Sequence, residues 1–83
     1  MPTERTMKSK VMGMIKFKDT LIYAFPEIIN AFYMIDKETT EEYVFVSWYD
    51  REKKQHDFKV CVTADSVPAM YDDVWRECKR RFL

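Results

Sequence analysis

Apolar residues in positions 7–25 recur mostly at steps of three, four and seven: Met7, Val11, Met14, Ile15, Leu21, Ile22 and Phe25. That spacing is the period of a helix with one buried stripe, so a first helix is predicted here. Thr3 or Thr6 is the candidate cap. Gly13 weakens the middle by roughly 1 kcal/mol relative to alanine, and Pro26 drives Phe25 out of helical geometry. Near the other end, Val67, Met70, Tyr71, Val74, Trp75, Cys78 and Phe82 form a continuous apolar stripe. Asp65 or Ser66 is placed to cap this second helix, and Pro68 falls in its first turn, where a missing N–H costs nothing. Asp72 and Asp73 sit toward its positive end, with Lys79, Arg80 and Arg81 at its negative end, so side-chain charge and macrodipole agree. The helix is predicted over 67–82.

Between the helices the period shortens to two. Residues 43–49 (YVFVSWY) and 58–63 (FKVCVT) read as strands. Residues 27–36 (EIINAFYMID) also fit a helical stripe through Ile28, Ile29, Phe32 and Ile35. A strand is favoured, because 36–42 (DKETTEE) and 50–57 (DREKKQHD) are similar polar connections, as in a meander. Val44, Val46 and Trp48 share one face, which pairs with Phe58, Val60 and Val62 and should meet the helices. The expected fold is α+β: a helix, a three-stranded antiparallel meander and a C-terminal helix (αβββα), with a single sheet layer packed against helices. One globular domain spans 1–83, with residues 1–6 expected to fray.

A chain of 83 residues with 47% hydrophobic and 16% aromatic content can collapse, but it is too short to hide every ring it carries. Fourteen basic and fourteen acidic residues cancel, so no net field draws the whole molecule toward polyanions. The charges are segregated: basic residues gather at both ends, and the middle holds the acidic excess. Such bipolarity suits self-association or a protein partner at least as well as nucleic acid. Cys61 and Cys78 form no disulfide framework and fit a reducing compartment. No secretory leader is visible, and no run approaches the roughly 18 apolar residues of a membrane span. The expected location is the cytoplasm, without membrane association.

Catalytic candidates are few. His56, the single histidine, lies beside Asp57 and near Asp50, and a histidine with a carboxylate can act as acid, base or ligand. A polar loop without a Gly-rich turn or a second domain offers no scaffold for a nucleophile and an oxyanion donor, so His56 reads as a solvated loop residue. Cys61 and Cys78 are expected on different surfaces, which leaves zinc without a ligand set. No phosphate loop, dinucleotide fingerprint, nucleophile elbow or H-E-x-x-H is present. An enzyme is not expected, and no catalytic residue, cofactor or metal is assigned.

The second face of the sheet is more informative. It is expected to carry Tyr43, Phe45 and Tyr49, then Lys59 and Cys61, with Phe32 or Tyr33 on the first strand. If both faces were covered by helices, nothing special would remain outside; if one is open, its rings mark a contact surface. The expected function is a non-enzymatic protein-interaction module, of the regulator, adaptor or inhibitor kind. It would act by surface occlusion and self-associate into a homodimer. Phe32, Tyr43, Phe45 and Tyr49 would be its anchors, and Arg76, Arg80 and Arg81 its polar rim. The alternative is nucleic-acid binding through Lys8, Lys10, Lys16, Lys18, Arg76, Lys79, Arg80 and Arg81, should the two basic clusters merge. The order helix, three strands, helix is shared with double-stranded-RNA-binding domains. This chain has no Gly-Pro-x-His in a strand loop, and it has Asp72 and Asp73 in place of the Lys-Lys run of the last helix, so the likeness stops at topology.

Overall fold

The computed structural model describes residues 4–63 and 65–83. The elements follow the expected order: α1 (Glu4–Ala24), β1 (Ile28–Ile35), β2 (Glu42–Tyr49), β3 (Gln55–Cys61) and α2 (Val67–Phe82). The strands form one antiparallel sheet in the order β1-β2-β3, so β1 and β3 are both free edges. Residues 28–35 are a strand, as the flanking connections imply. The register slips between Ile28 and Asn30, which places Ile29 in a bulge and explains why two consecutive isoleucines could mimic a helical stripe.

The same device builds both hairpins. Asp36 Oδ1 accepts the N–H groups of Glu38 at 2.9 Å and Thr39 at 3.3 Å. Asp50 Oδ1 accepts those of Glu52 at 2.8 Å and Lys54 at 3.0 Å. Each loop closes through a left-handed residue, Thr40 (φ 60°) and Lys53 (φ 64°), in a protein whose one glycine lies elsewhere. β3 begins at Gln55, so Gln55, His56 and Asp57, expected in the loop, are strand residues.

Val44 lies opposite Val60 and Val46 opposite Phe58, and these side chains are buried beneath the helices with Ala31 and Tyr33. Both helices lie on this inner face. They run in parallel: Phe17 stacks on Tyr71 with ring centres 4.3 Å apart, while further along Phe25 meets Trp75 at 5.2 Å and Phe82 at 5.8 Å. Gly13 faces α2, where a Cβ would come within 2.7 Å of the Tyr71 hydroxyl and 3.0 Å of the Val67 side chain. The glycine costs helix propensity but lets α2 dock. Ser66 caps α2, its Oγ accepting the Ala69 N–H at 3.2 Å.

Two expectations about α1 need correction. Its buried side is Lys10, Gly13, Met14 and Leu21, continued by Phe25, whereas Val11 and Ile15 are 43% and 56% exposed. Thr6 lies inside the helix and cannot be its N-cap; the other candidate, Thr3, lies outside the described residues. Of residues 1–6, residues 4–6 belong to α1 and residues 1–3 lie outside the described residues.

Candidate interaction surface

With both helices on one side, the other side of the sheet is left open. Strand alternation and register arrange it in cross-strand rows: Met34, Tyr43 and Cys61; Phe32, Phe45 and Lys59; Asn30, Ser47 and Asp57; then Tyr49 and Gln55. The rings of Phe32 and Phe45 lie 5.4 Å apart, Lys59 Nζ stands 4.7 Å over the Tyr43 ring, and the Tyr43 hydroxyl reaches the Met34 sulfur at 3.7 Å. Phe32, Met34 and Tyr49 are exposed at 38%, 40% and 47%. The four ring-bearing anchors read from the sequence therefore share one surface. Tyr33, the other candidate on β1, is buried on the inner face.

The expected arginine rim is not part of it. Arg76, Arg80 and Arg81 stand on α2, in the helix layer behind the sheet. Arg80 and Arg81 both bind Glu77, and the Arg81 guanidinium caps the inner-face ring of Phe58 at 4.1 Å. Their hydrogen bonds hold the Glu77 carboxyl below its usual range, with Arg80 the larger influence. The alternative's basic clusters do not merge either. Because the helices are parallel, Arg5 and Lys8 lie toward the start of α2, whereas Lys79, Arg80 and Arg81 lie about 20 Å further along, at its end. Lys16 is exposed on α1 between them and Lys18 is half-buried.

Lys10, the remaining lysine of that alternative, has no exposed surface. Its Nζ donates to Glu42 Oε1 and, at 2.8 Å, to Asp65 Oδ1, while the Tyr33 hydroxyl donates to the same Glu42 oxygen at 2.6 Å. Burial disfavours the ammonium, but its bonds to Asp65 and Glu42 outweigh that, so its pKa is raised above 10.5. Burial and the Glu42 carboxylate likewise raise the Tyr33 phenol, and Lys10 holds Asp65 below 3.8. The cluster ties α1, β1, β2 and the approach to α2 together. Sequence reading placed Lys10 among the phosphate contacts of the alternative because a lone lysine at a core position shows no sign of partners 32 and 55 residues away.

His56 Nε2 and Asp50 Oδ2 are 2.7 Å apart, and the imidazole stacks on Trp48 at 4.7 Å. The histidine bond is the main reason the Asp50 carboxyl lies below its ordinary range. The pair closes the β2–β3 hairpin, since Asp50 also holds the loop amides. Cys61 is exposed on the open face, while Cys78 is buried in α2, where burial pushes its thiol up to about 11. Among the described residues there is no group of three or more His, Cys, Asp or Glu side chains that could hold a metal, and no helix long and apolar enough to cross a membrane. Comparison with known protein families, with curated proteins and with solved structures gives no match for this chain.

Proposed function

We propose that this protein is a non-enzymatic interaction module that docks a partner protein on the open sheet face and acts by covering the partner's surface. The observation carrying the reading is the row Phe32–Phe45–Lys59 with Met34, Tyr43 and Tyr49 around it: a connected, largely apolar patch on the sheet face that, among the described residues, no helix covers. Rings held by a sheet lose little freedom on binding and dominate interface energies. The acidic hairpin Asp36–Glu41 borders the Met34–Tyr43 end and favours a partner with basic groups around an apolar centre. It also disfavours phosphates, and Lys59 is the single cation in the central rows, so stacking of bases is the weaker use of these rings.

The test is a pull-down from host extract with the partner identified, followed by titration of that partner with wild-type protein and with Phe32→Ser and Phe45→Ser variants. Each truncation is expected to remove about 2 kcal/mol, roughly a 30-fold loss of affinity, while far-ultraviolet circular dichroism is unchanged. Full affinity in the double variant would refute the reading. So would tight, steeply salt-dependent binding of single-stranded RNA or DNA lost on the same substitutions.

A further inference from the structure

We infer that two copies of this chain join through the free edge of β1 and the adjoining side of α1, forming a continuous six-stranded sheet about a two-fold axis. The two edges of the sheet differ. β3 and its approach carry Lys54, His56, Asp57 and Lys59, the charged dressing that keeps an edge from pairing. β1 reads IINAFYMI, eight residues with no charge and no proline, the composition of an edge that is normally covered. The Asp36 N–H donates to Glu41 at 2.9 Å, so alternation turns the backbone groups of Ala31, Tyr33 and Ile35 away from β2, to the outside. At Ala31 that outward N–H is held at 2.9 Å by the Asn30 side chain, a contact a neighbouring strand can replace.

The side of α1 turned away from α2 lies over this edge. Helical spacing places Val11, Ile15, Lys18 and Ile22 there, flanked by Lys8, Met12 and Asp19. Val11, Met12 and Ile15 are exposed at 43%, 56% and 56%. Further along, where α1 ends and β1 begins, an open hollow of about 550 Å³ is lined by Ile22, Pro26, Glu27, Ile28, Ile29 and Tyr49. Edge and helix side together form one strip, apolar apart from Lys18 and Glu27.

The occupant is a second copy because the strip complements itself. The Ile28 N–H bonds the Phe25 carbonyl at 3.0 Å, so these two residues are level. Stepping about 16 Å from there brings β1 to Tyr33 and α1 to about residue 14, at roughly 3.3 and 1.5 Å per residue. A two-fold axis through the Tyr33 pair therefore crosses α1 between Gly13 and Met14. About that point Lys8 is symmetric with Asp19, and Met12 with Ile15. Antiparallel α1 helices then bring Met12 against Ile15 at the centre, and Lys8 of each copy against Asp19 of the other at both rims. Apart from Tyr49, which borders both, this surface is distinct from the open face, which the joined sheet doubles in width without covering.

Sedimentation equilibrium tests the inference. The wild-type chain is expected to be a dimer at micromolar concentration, and the Val11→Glu, Ile15→Glu double variant a folded monomer with at least a hundredfold weaker self-association. Lys8→Glu alone should weaken the dimer about tenfold, and adding Asp19→Lys should restore it, because the two rim pairs are rebuilt with reversed sign. Phe32→Ser with Phe45→Ser should leave the dimer intact, which separates this seam from partner docking. A wild-type monomer at millimolar concentration overturns the inference, as does an undiminished Val11→Glu, Ile15→Glu dimer. Charge reversal without rescue by Asp19→Lys would also overturn it.

Discussion

Lys10→Met is expected to destabilise the protein by about 3 kcal/mol, the low end of the cost of breaking a buried ion pair. Lys10 is wholly buried, while the Glu42 side chain is 15% and that of Asp65 54% exposed, so the substitution strands Glu42 more than Asp65. The Tyr33 hydroxyl would remain as one donor to Glu42, which keeps the loss from being larger. Lys10→Met with Glu42→Gln should recover part of the loss, since no buried carboxylate is then left without its cation. Urea unfolding of the three proteins measures this; a single variant within 0.5 kcal/mol of wild type would show that the cluster is not the tie described. The pH dependence has a defined sign. Asp65 is held below 3.8, so its contribution is present above that pH and is lost as the pH falls through the folded-state value. Lys10 is held above 10.5, so its contribution is complete below that pH and is lost as the pH rises past the folded-state value. The wild-type advantage over Lys10→Met should therefore be flat from about pH 5 to 10 and shrink on both sides.

Phe25→Ala should cost more, about 4 kcal/mol, the range found for removing a buried phenylalanine. Phe25 is 2% exposed, its ring touches Trp75 and Phe82, and its carbonyl receives the first strand N–H, from Ile28. It is where α1, α2 and the sheet meet, and the neighbouring rings are too rigid to fill the vacated volume. The midpoint of thermal unfolding should drop by well over 10 °C. A loss under 1 kcal/mol would mean that the two helix ends are not clamped through this ring.

The architecture was legible because its signals are local. Ser66, Pro68 and a clean apolar stripe delimit α2, and two aspartate-led loops divide the strands. The open face was half legible: alternation sorted Phe32, Tyr43, Phe45 and Tyr49 onto one side, but periodicity does not say whether two helices choose the same side. That choice decided where Arg76, Arg80 and Arg81 went. The buried side of α1 was misread for a physical reason. Its core positions are taken by Lys10, paired with distant carboxylates, and by Gly13, present for close approach, whereas Val11, Met12 and Ile15 lie outside. A helix with apolar residues on two sides gives an ambiguous stripe, and the surplus side is the one assigned here to a second copy.

Reaction of the native protein with a thiol reagent tests the open face most directly. Of the two cysteines, Cys61 lies on that face and Cys78 is buried in α2 with a thiol pushed up to about 11. One thiol per chain, mapped to Cys61, should react at once at pH 8, and the second only on unfolding. Joining two copies through β1 leaves this unchanged, because Cys61 lies on the far strand, while a docked partner protein should slow it. A Cys61 that is protected in the free protein as strongly as Cys78 would mean that the face is covered, contradicting the claim on which the proposed function stands.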